Sequence, residues 1–551
     1  MDRNLFLAFA LSFAVLTGWM LLTGPPHRPV APVAIEQQLP APAAVAEPTA
    51  PDAPAASVPA PSAPARAPEV AARTLRIERP QFIAEFTSRG AALQSFELRG
   101  YDTGRDAGQR PIVLAGDYAT RDVTLLTPLE ELGLGSLAER GFELEASTDS
   151  AITFRFESGG VTVRKSYEFE ADGYMFALRL RIENGSSVAI APRFGVEWPV
   201  FPMQGTDFKD QALAALHEGS VTRQPVAGFG KPSFFSRDPK RVVEMSHEID
   251  WAGVDVPYFL RAVLPDQPAL ANARFEATEP GRTGRVQVFF DPVEIPPAQS
   301  AERVFRVYVG PKQEQGLEAL GGGLIRAINL GYTWVVPLTR FFHWLLQALY
   351  SVVPNYGVTI ILLTLLVRMV MAPLTTRQMR SMERMRALAP KLEELRAKFA
   401  DDKAKQSEGM MNLYRQEGVN PLGGCLPMVL QIPVFIGLFY ALQSSIELRH
   451  SPFFGWITDL SVPESLFTIP GLDLPVRVLP LLMGASMVIQ QKLTPMQADP
   501  AQAKMMLVVM PVMMTVMFYQ FPSGLVLYWM VSNVVAISHQ LWVGRRLRAA
   551  A

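Results

Sequence analysis

Bond-making chemistry needs nucleophiles, acids or metal ligands at set spacings, and this sequence offers no such set. Its histidines, His27, His217, His247, His343, His450 and His539, are too scattered for a metal-ligand pattern, and there is no HExxH, phosphate loop or nucleophile elbow. The one cysteine, Cys425, lies in the apolar run LGGCLPMVLQ, so no intrachain disulfide can form and a buried thiol is the simplest reading. The residue that stands out is a charge. Arg368 sits in TLLVRMVMAPLTTR, inside an apolar run from Gly357 to Pro373, and an arginine at a bilayer centre costs at least ~2.5–3.5 kcal/mol. Roughly 7–8 Å of helix separates it from Pro373, so its side chain either snorkels to the nearer interface or serves as a working charge.

Other polar groups occur in comparable settings: Thr364, Gln431, Ser486, Gln490, Ser532 and Asn533. Singly, each reads as interhelical hydrogen bonding; together with Arg368 they would line one wet pocket if the fold made them converge. No acidic residue falls within the later apolar runs, so Arg368 lacks a carboxylate from its own helices. The chemistry open to such a site is recognition of an incoming anion by charge, with no cofactor or metal required.

The elements that must position these residues follow from hydropathy. The net charge of −1 over 551 residues points to neither nucleic acid nor a polyanionic surface. Leu5–Leu22 is long enough to span a bilayer and lacks a clear cleavage site, which favours an uncleaved anchor over residues 1–24. Residues 25–72 carry 13 prolines among many alanines and read as an extended tether. From 73 to 312 the pattern alternates, as in ITFRFE (152–157) and FALRLRI (176–182), with turn signals at Gly159-Gly160 and Asn184-Gly185; this predicts a large antiparallel β-sandwich. Residues 313–355 connect to a helix over 335–353, where Arg340, His343 and Gln347 form a thin polar stripe on an aromatic face. That pattern predicts a helix lying along the membrane surface.

Five more spans are expected at about 357–373, 422–443, 478–493, 505–521 and 524–543, six with the first. The 375–419 loop holds ten basic residues and the 444–477 loop only Arg449 and Arg477, which puts the former in the cytoplasm. Both termini are then cytoplasmic and residues 25–355 largely periplasmic. Within the basic loop Met385, Leu388, Leu392, Leu395 and Phe399 repeat at heptad-like spacing, followed by Met410, Leu413 and Tyr414, predicting a helical hairpin. Its charges read either as a solvated face or as a docking site for a cytosolic partner. Of 23 methionines, 18 fall between Met369 and Met530, which suits adaptable apolar contacts, although any one of them reads as ordinary packing.

Three strings then resemble a known family: VRMVMAPLTTRQMRSMERMRALAPKL, EGVNPLGGCLPMVLQIPVF and FPSGLVLYWMVSN are similar to the YidC/Oxa/Alb membrane protein insertases, in the Gram-negative form with a large periplasmic domain. The resemblance covers essentially the whole chain and is most specific over 356–543. It implies a polytopic α-helical membrane protein, a five-helix core bundle with a hydrophilic groove over 356–548, plus a periplasmic antiparallel β-supersandwich. It also implies that Arg368 is the groove charge attracting acidic substrate segments, and that Thr364, Ile432, Phe435, Tyr528 and Trp529 contact substrate, with Gln431, Ser532 and Asn533 as polar lining. The partners so implied are nascent inner-membrane proteins, the Sec translocon, membrane lipids, and a ribosome or targeting receptor at the 375–419 hairpin, with no sequence-specific nucleic acid. The tail ends soon after Arg548, against ribosome docking through a long basic extension. Two rivals remain on the residues alone: a secondary transporter or channel, and an envelope scaffold whose periplasmic domain binds glycans.

Overall fold

Apolar–polar alternation organises the first half of the molecule. The computed structural model describes residues 72–103, 110–116, 123–203, 208, 210–232, 239–399, 402–418, 426–471, 474–493 and 505–550. The segment Leu5–Leu22, nearly all of the Pro/Ala tether and Cys425 lie outside the described residues. The strands are β1 (Thr74–Glu78), β2 (Phe82–Thr87), β3 (Ala92–Asp102), β4 (Pro111–Ala115), β5 (Glu143–Ser147), β6 (Ala151–Ser158), β7 (Val161–Phe169), β8 (Met175–Asn184) and β9 (Gly195–Val200). They continue with β10 (Ala212–His217), β11 (Ser220–Pro225), β12 (Val242–Met245), β13 (Ile249–Asp255), β14 (Phe259–Pro265), β15 (Ala271–Glu279), β16 (Thr283–Phe290) and β17 (Ser300–Pro311). A nine-stranded antiparallel sheet runs β11-β10-β13-β14-β17-β8-β7-β6-β5, and two four-stranded sheets run β1-β2-β3-β4 and β12-β15-β16-β9.

Both small sheets share a core with the large one. Phe82 stacks on Phe96 with ring centroids 4.4 Å apart, and Phe86 lies 4.4 Å from Tyr167, joining β2 and β3 to β7. Phe290 of β16 meets Phe305 of β17 at 5.7 Å. Along β7 alternate residues are buried, and Gly159-Gly160, both at positive φ, make the two-residue turn that brings Ser158 opposite Val161. The opposite face of the large sheet is covered at its β10-β13-β14-β17 end: Trp251, Leu260 and Tyr308 pack with Leu317, Leu324 and Leu330 from the segment that follows β17. That segment contains α1 (Glu314–Leu320) and leads to α2 (Val336–Val352). It is tied down by a buried ion triad, in which Asp255 accepts from Lys312 and Arg223 at 2.8 Å each while Arg223 also donates to the Ala327 carbonyl at 2.7 Å.

The second half is helical: α3 (Tyr356–Ala387), α4 (Ala389–Lys398), α5 (Lys403–Gln416), α6 (Leu426–Ser444), α7 (Val478–Leu493), α8 (Met510–Phe518) and α9 (Ser523–Ala550). By length and apolar composition, stretches of two of them are long enough to cross a bilayer, Tyr356–Met385 and Ser523–Arg546; Gln431–Ser444, Val478–Leu493 and Leu507–Phe518 are shorter apolar helices. The helix carrying Arg368 does not stop at Pro373 but continues to Ala387. Pro511 occupies the first turn of α8, directly after a π-helical turn at Met505–Val509, where a missing N–H costs no helical hydrogen bond. Between α3 and α6, Leu388 and Leu392 are buried against Met385, Met410, Leu413 and Tyr414. A short hydrophobic seam therefore closes α4 on α5, and Asp402 caps α5 by accepting from Lys405 N at 3.0 Å.

The polar stripe expected on α2 is split. Arg340 and Gln347 are exposed, but His343 is 7% exposed and turned inward, where Glu314 of α1 lies 3.3 Å from Nδ1 and Ser445 Oγ lies 2.8 Å from Nε2. The reason is that α2 packs on α6 through Phe342, Leu338 and Gly437, and the neighbouring His343 is rotated into the same seam. The hydrogen bond with His343 is the main cause holding the Glu314 carboxyl below its ordinary range.

One inward position on β7 is a lysine. Lys165 is fully buried, donates to the Leu125 carbonyl, and burial pulls it down to about 7 from its ordinary 10.5. Between these two values the unfolded chain binds a proton that the folded chain has released, so stability rises with pH by on the order of 1 kcal/mol per unit. Chemical unfolding of the full chain at pH 7.5 and 9.5 should show a smaller rise for Lys165→Met than for the parent; equal rises would refute the assignment.

Candidate functional site

The helix around Arg368 is built from strong apolar formers, and its neighbours decide where the charge points. Arg368 reaches from α3 to α9, where Ser532 Oγ accepts from Nε at 2.9 Å and also from Nη2. Two helical turns further on, Thr376 Oγ1 lies 3.1 Å from His539 Nε2. Both contacts advance along the two chains in the same direction, so α3 and α9 run parallel, laced by polar contacts roughly 11 Å apart. No ion pair joins Arg368 to a carboxylate among the described residues, where its hydrogen bonds go from Nε and Nη2 to Ser532.

Tyr528 and Gln431 extend this cluster. Tyr528 is 3% exposed, lies one turn before Ser532, and is close enough to Arg368, Ser532 and Gln431 to interact with each. Polar groups of three helices thus come together: Arg368 of α3, Ser532 and Tyr528 of α9, and Gln431 of α6. Beside it stands an aromatic wall. Phe435 meets Trp529 edge-on at 4.6 Å, Trp529 meets Phe518 at 4.8 Å, and Phe518 meets Phe521 at 5.0 Å.

The remaining candidates divide. Ile432 is 49% exposed at the edge of the cluster, as are Met369 (68%) and Val370 (72%) on α3. Thr364 is buried and its hydroxyl returns to the Ile360 carbonyl of its own helix at 2.6 Å, so it adds no lining polarity. Asn533 does not join Arg368: it donates to Ser486 Oγ on α7 at 3.0 Å, because the ~100° step from Ser532 rotates it to the other side of α9. One wet pocket holding all the polar residues is therefore not what forms. Gln431 and Ser532 stand with Arg368, whereas Asn533 and Ser486 are a separate buried pair.

One end of the helical group is closed by the segment after α6. The first-turn groups of α9 are satisfied there: Ser523 N donates to the Val462 carbonyl at 2.8 Å, Gly524 N to Leu460 at 2.9 Å, and Ser523 Oγ to Asp459 at 2.8 Å. Glu464 caps α7 by accepting from Leu479 N at 2.8 Å and is itself held by Trp456 Nε1 at 2.7 Å. The same segment meets the β-rich half, where His450 Nε2 lies 3.0 Å from the Asp102 carbonyl and Arg449 donates to that same oxygen. Asp459 is hydrogen-bonded to His450 and Ser461; burial pushes its carboxyl up, but these bonds outweigh it and hold the group below its ordinary value. Sequence reading found none of these contacts, since nothing in local pattern links residues 102, 450 and 523.

Comparison with known proteins fits this division. Residues 74–345 match the family described as YidC periplasmic domain, and residues 348–550 match 60Kd inner membrane protein. These place the chain among inner-membrane proteins that carry a periplasmic domain. It is 36% identical over 563 residues to the membrane protein insertase YidC of Pelobacter propionicus and 35% identical over 555 residues to that of Citrifermentans bemidjiense, each match covering 99% of both chains. Among solved structures it is similar to an active YidC insertase with its first transmembrane domain resolved, at TM-score 0.36 and 18% identity over 84% of this chain and 91% of that one. The chain belongs to the YidC family of membrane protein insertases.

The Asn533–Ser486 pair is structural by this geometry. A double-mutant cycle with Asn533→Ala and Ser486→Ala, read by thermal unfolding in detergent, should give a coupling of about 0.5–2 kcal/mol. The same cycle between Asn533→Ala and Arg368→Ala should be additive within about 0.5 kcal/mol.

Proposed function

We propose that this protein inserts integral proteins into the bacterial inner membrane by offering polar substrate segments a solvated path beside Arg368. In this reading the apolar helices α3, α6, α7, α8 with its π-helical lead, and α9 all cross the membrane, preceded by the segment 5–22. The β-rich half and the capping segment 445–477 lie in the periplasm, while α4, α5 and both termini lie in the cytoplasm. The short α7 and α8 then thin the local hydrocarbon path, since 16 residues of α7 rise only about 24 Å against a core of about 30 Å.

The observation that carries the proposal is the Arg368 guanidinium, set between apolar helices with a serine hydroxyl as partner to Nε and Nη2. A carboxylate on an incoming tail would add the attraction of opposite charges, which the uncharged Ser532 hydroxyl lacks. The apolar part of the substrate would leave sideways past the exposed Met369, Val370 and Ile432, driven by removal of apolar surface from water at ~25 cal/mol per Å². No bond is made or broken, so the work is done by differences in solvation. The basic hairpin α4–α5 offers the docking face for a ribosome or targeting receptor, and lateral cooperation with a Sec translocon fits the same sideways exit.

The geometry changes which positions should meet substrate. Tyr528 is buried, so a photo-crosslinker at the exposed Ile432 or Met369 should capture substrate more efficiently than one at Tyr528. In liposomes, Arg368→Ala should lower insertion of a small protein with an acidic translocated tail about tenfold, the loss of a charge-assisted hydrogen bond of ~1.5 kcal/mol, while Arg368→Lys retains most of it. Equal losses in both variants, or no substrate crosslinks at Ile432, would defeat the reading.

A further inference from the structure

The segment between α6 and α7 contains a two-stranded hairpin, β18 (Phe467–Ile469) and β19 (Leu474–Val476). Its register pairs Phe467 with Val476, Thr468 with Pro475 and Ile469 with Leu474. Side chains directly opposite in an antiparallel pair share a face, and alternate residues do too. One face therefore consists wholly of Phe467, Ile469, Leu474 and Val476. Phe467 (55% exposed) and Leu474 (49%) stand uncovered on it, beside the half-buried Ile469 and Val476.

The hairpin is held from its backbone and its root. Tyr519, just past the end of α8, donates its hydroxyl to the Pro475 carbonyl, and Arg477 both donates to the Tyr519 carbonyl and lies over its ring at 4.9 Å. This fixes the hairpin at the end of one apolar helix and one residue before the start of another. An isolated two-stranded ribbon is marginal in water, and a contiguous apolar patch on it needs a cover.

We propose that this face is a lipid anchor, seated in the outer-leaflet headgroup and upper acyl region of the membrane. The occupant follows from continuity: β19 ends at Val476, α7 begins at Val478, and α7 carries its own outward apolar side chains at Leu481 (52% exposed), Leu482 (47%) and Ile489 (51%). Whatever covers that stripe meets the hairpin at its root. Depth is bounded by the outer edge of β18, which has no neighbouring strand in this two-stranded sheet, so the face penetrates by roughly 5–10 Å at most. The anchor would fix the height of the capping segment that closes α7 and α9. It rests on the proposed reading that α7 crosses the membrane.

The test uses the full chain in phosphatidylcholine/phosphatidylglycerol vesicles, with a Cys425→Ser background and one environment-sensitive fluorophore at Phe467→Cys. Leu482→Cys on α7 and Val188→Cys on the β-rich half, where Val188 is 66% exposed, serve as references. Lipids bearing a nitroxide near the headgroup should quench the Phe467 label at least threefold more strongly than the Val188 label, and aqueous iodide should quench it at least threefold less. Iodide quenching equal to that at Val188, with no lipid quenching, overturns the anchor. Shielding from iodide without lipid quenching means that a protein surface covers the face, which also overturns it. If the Leu482 label too escapes lipid quenching, the membrane-spanning reading fails; if Leu482 is quenched and Phe467 is not, the anchor alone fails.

Discussion

An arginine side chain has five N–H donors in a rigid fork, and Ser532 can occupy only the Nε and Nη2 edge of it. That imbalance is the constraint on which the helical half depends. A guanidinium among apolar helices is tolerated where water or an anion reaches it, so in the proposed reading the packing around Arg368 leaves one side solvated. The surrounding contacts are consistent with that demand. On α9 the face toward α3 is polar at Ser532 and His539, whereas Asn533, on the other side, is sealed against Ser486 of α7. Close packing elsewhere supports the arrangement: a Cβ at Gly484 would meet Thr515 of α8 at 2.1 Å, so α7 and α8 approach too closely for any larger residue.

A solvated cleft of the kind proposed serves insertion only if it does not run through the membrane, and the contacts of the segment after α6 bear on this. The segment 445–466 supplies carbonyls and a carboxylate to the first turns of α9 and α7, and beneath it Phe435, Trp529, Phe518 and Phe521 form a continuous aromatic contact. The β-rich half braces this closure from two directions. Glu314 and Arg340, paired at 3.2 Å, hold α1 on α2, and His343 carries the link on to Ser445; separately, Arg449 and His450 grip the Asp102 carbonyl of β3. Both histidines sit where the two halves meet, each bridging a carboxylate to a different element.

How far the sequence disclosed this depends on the range of the interaction. Strands β6 and β8 were legible because a period of two is imposed within a few residues, and the turn at Gly159-Gly160 because only glycine adopts its backbone freely. Arg368 was legible for the opposite reason, as a single violation of an apolar pattern. Convergence was not legible. Ser532 and Asn533 are neighbours in sequence and belong to different contacts, and His343 looks like part of a solvated stripe until α6 is packed against it. Tyr528 has the chemistry of a contact residue, but the fold leaves it only 3% exposed beside Ser532 and Gln431. Side-chain type is a local property, whereas the direction in which it is used is set by helix packing.

The choice of a serine as Arg368's partner has an energetic consequence. A carboxylate in that position would hold the guanidinium in a charge-assisted pair and leave an incoming acidic tail nothing to gain, while a wholly apolar wall would leave the charge without a fixed direction. A hydroxyl accepts two N–H groups and orients the fork, yet it carries no charge and so lacks the Coulombic attraction that a carboxylate adds. In the proposed reading that added attraction, on the order of 1–4 kcal/mol in a site that keeps its water, favours exchange for a substrate carboxylate while leaving each client releasable after its tail has crossed.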